Sequence, residues 1–486
     1  MSSEERGPLE TTLVEAPEQD SMLYSATPDG SSLALVLVWS REEPERIGEV
    51  ITMPRRARGS SFVIGRTAER GEDGATPLML SRLRPFERQV TGPFRASRVS
   101  RRQLTVKVED ADTLYIENVG RGLIRVNGHQ LDKATVRAGD LIEAERRFIL
   151  LCTHRPNSWP MHAASDDVFV YGLSDEHGMV GESPALWELR ERVEFVATRD
   201  GHVLIHGPSG SGKELVAHAV HTRSKRRGAE IVSRNAATIP ETLVDAELFG
   251  NMKNYPNPGM PVRVGLLGEA DGSSLFLDEI GELPHAMQAH LLRVLDSGEY
   301  QRLGEARPRR SDFRLIAATN RDPAALKHDF LARFTLRVEV PGLGEHREDI
   351  VLVARHLLRQ IARSDVAMTE RFFRGDEPRL SPELVYGLMW HPFTTHVREL
   401  NEVLWRALAT SPGQYLQPPP GFQVRAPPEP TTSRPYTDPN SLSREEVMTA
   451  LEECEGVKER AWRELGLRNR FQLNRLLKKF EDLTET

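Results

Sequence analysis

Between about Ser32 and Cys152 the apolar positions come in short runs, LALVLVW, EVITM, SSFVIGR, QLTVKV, TLYIEN, LIRVNG, DLIEA and RFILLC, separated by turn-forming residues. Many short strands, with no segment of helical period among them, predict an all-β sandwich over residues 31–155. The rhythm then changes. From about Val170 to Ser411, strand-sized apolar runs at 203–206, 230–233, 274–277, 313–318 and 336–340 alternate with stretches of helical character. That alternation predicts an α/β unit over residues 170–411, a parallel sheet covered by helices that binds ligands at the carboxyl ends of its strands. Residues 412–440 hold nine prolines and few aliphatic side chains, which predicts an extended, semi-rigid linker. The last unit, 441–486, reads as short helices, REEVMTALEEC, KERAWRELG and RNRFQLNRLLKKF, with Gly466 turning between the last two. Two helices joined this way predict a small all-α helix-turn-helix.

Composition narrows the setting. A chain of 486 residues has room for about three domains. Its 39% hydrophobic and 28% charged residues describe a globular chain, and its longest apolar runs are far too short to span a bilayer. The acidic opening stretch, residues 1–30, lacks the basic and apolar regions of a secretory signal and reads as a flexible arm. The two cysteines, Cys152 and Cys454, form neither a disulfide framework nor a metal knuckle. A cytoplasmic protein without membrane contact is expected. With a net charge of −7, any nucleic-acid site must be local rather than a bulk electrostatic effect.

The strongest chemical signal is VLIHGPSGSGKELV, Val203 to Val216. A strand runs into Gly207, Pro208, Ser209, Gly210, Ser211, Gly212 and Lys213, followed by Glu214 and helix-forming residues. In such a turn backbone N–H groups converge on a phosphate chain, the helix N-terminus adds positive potential, and the lysine reaches the terminal phosphates. Downstream, SSLFLDEIGELP puts the apolar run Leu275–Leu277 immediately before Asp278 and Glu279. Carboxylates at the end of a buried strand are costly unless they meet a cation or a reacting water. Asp278 is therefore expected at Mg²⁺ and Glu279 at the water that attacks ATP.

From GESPALWELRERV through GPSGSGKELVAHAVH, ETLVDAELFG, GSSLFLDEIGELP, HLLRVLDSGEYQRLG and RLIAATNRD to HREDI and HVRELNEVL, the segment resembles the AAA+ domain of sigma-54-dependent transcriptional activators. The resemblance implies an ATPase that forms a homo-oligomeric ring with active sites between subunits and acts on sigma-54 RNA polymerase. Carried over by position, Asn235 restrains the catalytic glutamate, Asn320 is sensor I and Arg398 is sensor II. Arg333 and Lys327 fall on the two positions that supply arginine fingers. Lysine lacks the planar fork that stabilises transferred charge, so Arg333 is the expected finger. Glu214 stands where many phosphate loops carry the hydroxyl that ligates Mg²⁺, and glutamate is common there in this family. After ELFG the family carries GAFTGA, a loop whose aromatic and threonine contact the sigma factor. Here that place holds Asn254, Tyr255, Pro256, Asn257, Pro258 and Gly259, with two prolines that stiffen it and no threonine.

Within the β-rich part, FVIGR, RVSRRQL, NVGRGLIRVNG and RAGDLIEA resemble a forkhead-associated domain, which implies a phosphorylated protein partner bound by Arg66, Ser100 and Arg101, with Asn127 in the nearby turn. Arg82, Arg84, Arg88, Arg95, Arg98, Arg102 and Lys107 add a basic field suited to phosphate. The family's histidine is Gln103 here, Gly122 takes the place of its peptide-contacting asparagine, and a long insertion, roughly 68–97, separates the two phosphate-binding loops. The C-terminal unit resembles the Fis-type DNA-binding domain. That implies contact with upstream enhancer DNA through Arg468, Asn469, Arg470, Gln472, Asn474, Arg475 and Lys478, with Phe471, Leu473 and Leu476 facing the core. Two other readings stay open: a regulator that binds DNA and nucleotide without remodelling sigma-54 polymerase, and a phospho-dependent signalling adaptor.

Overall fold

The computed structural model describes residues 30–54, 60–70, 74–85, 87–157, 169–363, 365–429, 442–454 and parts of 458–482. The β-rich part comprises β1 (Ser31–Ser40), β2 (Val50–Thr52), β3 (Ser61–Ile64), β4 (Thr76–Pro77), β5 (Leu80–Arg84), β6 (Glu87–Gly92), β7 (Leu104–Val108), β8 (Leu114–Asn118), β9 (Ile124–Val126), β10 (His129–Gln130), β11 (Lys133–Val136), β12 (Leu141–Ala144) and β13 (Phe148–Pro156). They form two sheets, ordered β10-β9-β12-β13-β1-β2-β5-β6 and β11-β8-β7-β3-β4. The insertion at 68–97 thus supplies β4 and extends the larger sheet with the β5–β6 hairpin.

Successive side chains of a strand point to opposite faces, and β1 buries both. Leu33, Leu35 and Leu37 enter the core between the sheets, while Ala34, Val36 and Val38 enter a second core. β13 repeats the division, with Leu150 and Cys152 on the first side and Ile149 and Leu151 on the second. This is why LALVLVW shows no polar alternation.

The second core is completed by helices from the following unit. That unit runs α1 (Pro184–Ala197), β14 (Val203–His206), α2 (Lys213–Thr222), β15 (Val232–Asn235), α3 (Val244–Phe249), α4 (Leu266–Glu269), β16 (Ser274–Asp278), α5 (His285–Ser297), β17 (Glu299–Tyr300), β18 (Arg309–Arg310), β19 (Arg314–Thr319), α6 (His328–Leu331) and β20 (Leu336–Glu339). Its sheet is ordered β15-β16-β19-β14-β20, and every pairing in it is parallel. A helical lid follows: α7 (Ile350–Ala362), α8 (Val366–Phe372), β21 (Phe373–Arg374), β22 (Glu377–Pro378), α9 (Pro382–Trp390) and α10 (His396–Thr410). Ser381 caps α9 by accepting from Leu384 N, with Pro382 in the first turn, where a missing N–H costs nothing. Leu384, Val385 and Leu388 of α9 and Leu400, Val403 and Leu404 of α10 join the outward residues of β1 and β13 in one apolar cluster. Trp39 Nε1 donates to Leu380 O at 3.1 Å across this joint.

Two expectations need correction. The apolar run at 230–233 becomes a strand two residues later, Val232–Asn235, because its pairing register sets Asn235 opposite Asp278. The proline-rich stretch is no free linker as far as residue 429. Leu416 is fully buried and its N–H donates to Arg379 O. Phe422 stacks on His391 with centroids 4.8 Å apart, and Pro428 O accepts from Asn127 Nδ2 at 3.0 Å. Prolines keep their carbonyls as acceptors, and two apolar side chains suffice to pin the strap. Residues 430–441 lie outside the described ones. Beyond them, α11 (Arg444–Glu453) starts with a Ser443–Glu446 capping box and packs Val447 and Ala450 with Leu473 and Leu476 of α12 (Arg470–Asp482). Among the described residues no helix is long and apolar enough to cross a membrane.

The two-faced strand gives a direct test. Val36→Asp, which drives a charge into the joint, should lower unfolding free energy by about 3 kcal/mol or more. Val90→Asp on exposed β6 should stay within about 0.5 kcal/mol. Urea titration measures both.

Candidate active site

The phosphate loop leaves β14, which pairs with β19 on one side and β20 on the other. Its backbone turns through Gly210 at φ +77° and Gly212 at φ +97°, a region that favours glycine. A Cβ at Gly210 would also meet Thr395 O at 2.3 Å, so the start of α10 closes directly on the loop. Lys213 opens α2 and is buried, its Nζ donating to Gly207 O (3.0 Å) and Pro208 O (3.1 Å). Burial lowers its pKa, opposed by the nearby Glu279 and Asp278. Ser211 Oγ is buried in the loop without a hydrogen-bond partner, as a hydroxyl awaiting a ligand would be. Arg398 Nη1 donates to Ser209 Oγ at 3.1 Å.

These groups line a cavity of about 520 Å³ together with Asp278 and Glu279. Apolar side chains also line it, among them Met179, Val180, Val353 and Leu357, with His356. Polar loop groups and apolar side chains lining one cleft suit a nucleotide.

The pairing register corrects one assignment. Asn235 Nδ2 donates to Asp278 Oδ2 at 3.2 Å, so it restrains Asp278 rather than the glutamate. Glu279 sits at φ +51°, a strained conformation worth about 1–3 kcal/mol that clusters at functional sites. Its Oε2 accepts from the backbone N–H of Asn320 at 3.2 Å. The main chain at Asn320 therefore holds Glu279.

Arg333 does not line the cavity of its own chain. It forks onto Asp296, with Nε–Oδ1 at 2.5 Å and Nη2–Oδ2 at 3.0 Å. Lys327 offers its backbone N–H to Gln288 Oε1. Glu214, exposed in the first turn of α2, lies at the cavity wall.

In the sandwich, a Cβ at Gly65 would meet Arg101 O at 2.2 Å, so only glycine lets the two loops approach this closely. Arg66 N donates to Ser100 O and Thr67 N to Arg101 O. Arg66 and Arg101 are exposed and Ser100 half-buried. Gln103 accepts from Ser100 N at 3.3 Å and donates to Asn118 at 3.0 Å, anchoring the loop from beneath. Asn127 leaves this group. It is buried, donating to Asp140 and Pro428 O and accepting from Leu141 N. Arg82 and Arg84 leave the basic field too, because Arg82 pairs with Glu49 and Arg84 with Glu182.

Residues 254–259 form a closed turn. Gly259 N donates to Asn254 Oδ1, Asn254 N to Met260 O, and the half-exposed Tyr255 lies against Gly304. In the last unit, Arg468 and Asn469 lie outside the described residues, as do the side chains of Arg470 and Phe471. On α12 Arg475 and Lys478 are exposed, Gln472 and Asn474 half-buried, and Leu473 and Leu476 buried.

Residues 179–340 match the family described as the sigma-54 interaction domain. The transcriptional regulatory protein ZraR of Escherichia coli K12 is 35% identical over 315 residues, which span 62% of this chain and 69% of ZraR. The chain belongs to the sigma-54 activator family. The Nif-specific regulatory protein of Bradyrhizobium diazoefficiens is 39% identical over 244 residues, 49% of this chain and 40% of that protein. A solved structure of NtrX from Brucella abortus in complex with ADP is 28% identical, covers 63% of this chain and 69% of its own, and has a TM-score of 0.45. Membership of the family fixes the central unit as an AAA+ P-loop NTPase fold.

Sequence reasoning overlooked Glu399, which builds the start of α10 beside Arg398. Its carboxylate accepts from Thr394 N (2.6 Å), Thr395 N (3.0 Å), Thr394 Oγ1 (3.0 Å) and the His391 ring (2.8 Å). Burial pushes this carboxyl up, but the bonds from Thr395, His391 and Thr394 outweigh it and hold it at about 2. An acid with a depressed folded pKa stabilises the fold fully above its unfolded value and loses that contribution as pH falls through the folded one. Glu399→Gln should therefore cost about 2 kcal/mol at pH 7. The gap to wild type should close between about pH 4.5 and 2, as followed by thermal unfolding across pH.

Proposed function

We propose that the chain is an ATP-hydrolysing transcriptional activator that assembles into a homo-oligomeric ring and is controlled through its sandwich. The observation that carries this reading is the convergence of Lys213, Asp278, Glu279 and Arg398 on one cleft. The positive-φ glycines of the loop and the unpartnered Ser211 hydroxyl suit a phosphate chain. Lys213 binds the terminal phosphates and Arg398 lies over the loop. Glu279, oriented by Asn320 N–H, takes a proton from the attacking water as its oxygen bonds to the γ-phosphorus. The bond to the β-phosphate oxygen breaks, leaving ADP and phosphate. Mg²⁺ would be held at Asp278, whose carboxylate lines the cleft. When bound, it neutralises phosphate charge. Arg333, which pairs with Asp296 and does not line its own cleft, is assigned to a neighbouring subunit's site.

The DNA-binding role goes to Arg470, Gln472, Asn474, Arg475 and Lys478 of α12, together with Arg468 and Asn469 before it. The target is upstream enhancer DNA. Arg66, Ser100 and Arg101 are assigned to a phosphorylated protein partner. The exposed side chains of Arg66 and Arg101, on loops locked together at Gly65, support that assignment.

A second reading keeps DNA and nucleotide binding but not remodelling of sigma-54 polymerase. It is favoured by the closed, threonine-free turn at 254–259. Open-complex formation on an enhancer-bearing sigma-54 promoter separates the two. On the activator reading, wild type opens the promoter with ATP and Glu279→Gln does not, while that variant still binds ATP and loses about 10²–10⁴-fold in turnover. Unchanged turnover in Glu279→Gln would remove the glutamate from the chemistry. Wild-type ATPase and DNA binding without opening, with opening gained when residues 254–259 are replaced by GAFTGA, would establish the second reading.

A further inference from the structure

The strands 203–206 and 314–319 that carry the phosphate loop and sensor I belong to the ATPase sheet, but another wall of the cleft is held from the sandwich. That wall has two parts. One is the extended stretch 178–183, whose Met179 and Val180 line the cavity; the other is the turn before α7, whose Leu343 and His346 line it as well. Asp349 ties them together. Its Oδ1 accepts from Glu182 N (2.8 Å) and Ser183 N (3.2 Å), and its Oδ2 meets His346 Nδ1 at 3.2 Å. Gly181 leaves no room for a side chain here, since a Cβ would meet Asp349 Oδ2 at 2.6 Å.

Two arginines reach this cluster from the sandwich. Arg155, at the end of β13 and 4% exposed, pairs with Glu348 at 2.6 Å and donates to Glu182 O at 3.2 Å. Arg84, at the end of β5, forks onto Glu182 with Nη2–Oε1 at 2.6 Å and Nε–Oε2 at 3.0 Å. Glu182 also accepts from Gly172 N and Trp187 Nε1. Both guanidiniums therefore hold residues that adjoin Asp349, Glu182 by hydrogen bond and Glu348 in the chain, and Asp349 in turn meets His346 of the cleft lining.

We propose that Arg155 and Arg84 are positioning residues of the nucleotide site, so that the sandwich sets the affinity of the ATPase for its nucleotide through the Glu182–Glu348–Asp349 cluster. This rests on the reading of the cleft as a nucleotide site. The chemistry of the cluster supports it. Burial raises the Glu348 carboxyl to about 7, while Arg155 and His346 pull it down and Asp349 pushes it up. With the Arg155 guanidinium removed, the ionised form of Glu348 loses its main support and the carboxyl takes up a proton. A buried pair broken on one side leaves its partner uncompensated, and here the partner adjoins the aspartate that joins both halves of the wall. A ligand seated at the Arg66 loops binds the same sandwich that sends Arg155 and Arg84 to this wall, which gives the sensor a route to the ATPase.

The test is titration of the full chain with ADP by calorimetry, with wild type, Lys213→Ala, Arg155→Met, Arg155→Lys and Trp39→Phe. Trp39 bonds Leu380 across the same joint but does not touch the cleft, so Trp39→Phe should bind like wild type. Arg155→Met should weaken ADP binding at least tenfold while keeping a cooperative unfolding transition, and Arg155→Lys should recover most of the loss. If Arg155→Met does not fold, Glu348→Gln carries the same prediction. Binding within twofold of wild type in a folded Arg155→Met or Glu348→Gln variant, with Lys213→Ala unable to bind, would overturn the positioning role and leave the nucleotide site standing. A wild-type chain that binds neither ADP nor ATP would remove both.

Discussion

A strand buried on both faces cannot stand alone at the edge of a domain, and β1 and β13 impose this constraint on the molecule. The inward leucines of β1 satisfy the sandwich, but Ala34, Val36 and Val38 need a second apolar partner. Exposing such a face would forfeit about 1.5–3 kcal/mol for each large side chain. The lid helices α7, α9 and α10 supply that partner. Because α10 also carries Arg398 and abuts the phosphate loop at Thr395, the same packing that completes the sandwich fixes one wall of the cleft.

Electrostatics follows from that burial. Where the apolar joint meets the cleft, charges are enclosed and each is met by a partner: Arg155 by Glu348, Arg84 by Glu182, Arg190 by Asp175. Enclosed pairs of this kind contribute little net stability but strongly favour one arrangement over others, since breaking them on one side is expensive. With Glu182 and Asp175 on the 172–183 stretch and Glu348 next to Asp349, the contact beside the cleft is specific in residue and not only in shape.

Much of this was legible in the chain. The glycine and lysine spacing of the phosphate loop, the Asp278–Glu279 pair after an apolar strand, and the alternation of strands with helices are local signals that survive folding. What was not legible depends on register and on neighbours distant in sequence. Asn235 meets Asp278 because β15 pairs two residues later than its apolar run suggests. Asn127 and Arg84 carry residue types suited to phosphate, yet one is buried behind Pro428 O and the other is spent on Glu182. The uninterrupted apolar run in β1 was the available sign of a second buried face, and the strap at 412–429 hid its two anchors, Leu416 and Phe422, among prolines.

Joined through this shared core, sandwich and lid should behave as one cooperative body. Native-state hydrogen exchange on the full chain measures this directly. Amides of β1 and β13 should open with the same free energy as those of α9 and α10, and mild denaturant should release them together. Lid amides that open at a markedly lower free energy while β1 and β13 stay protected would show two bodies merely in contact, and would contradict it.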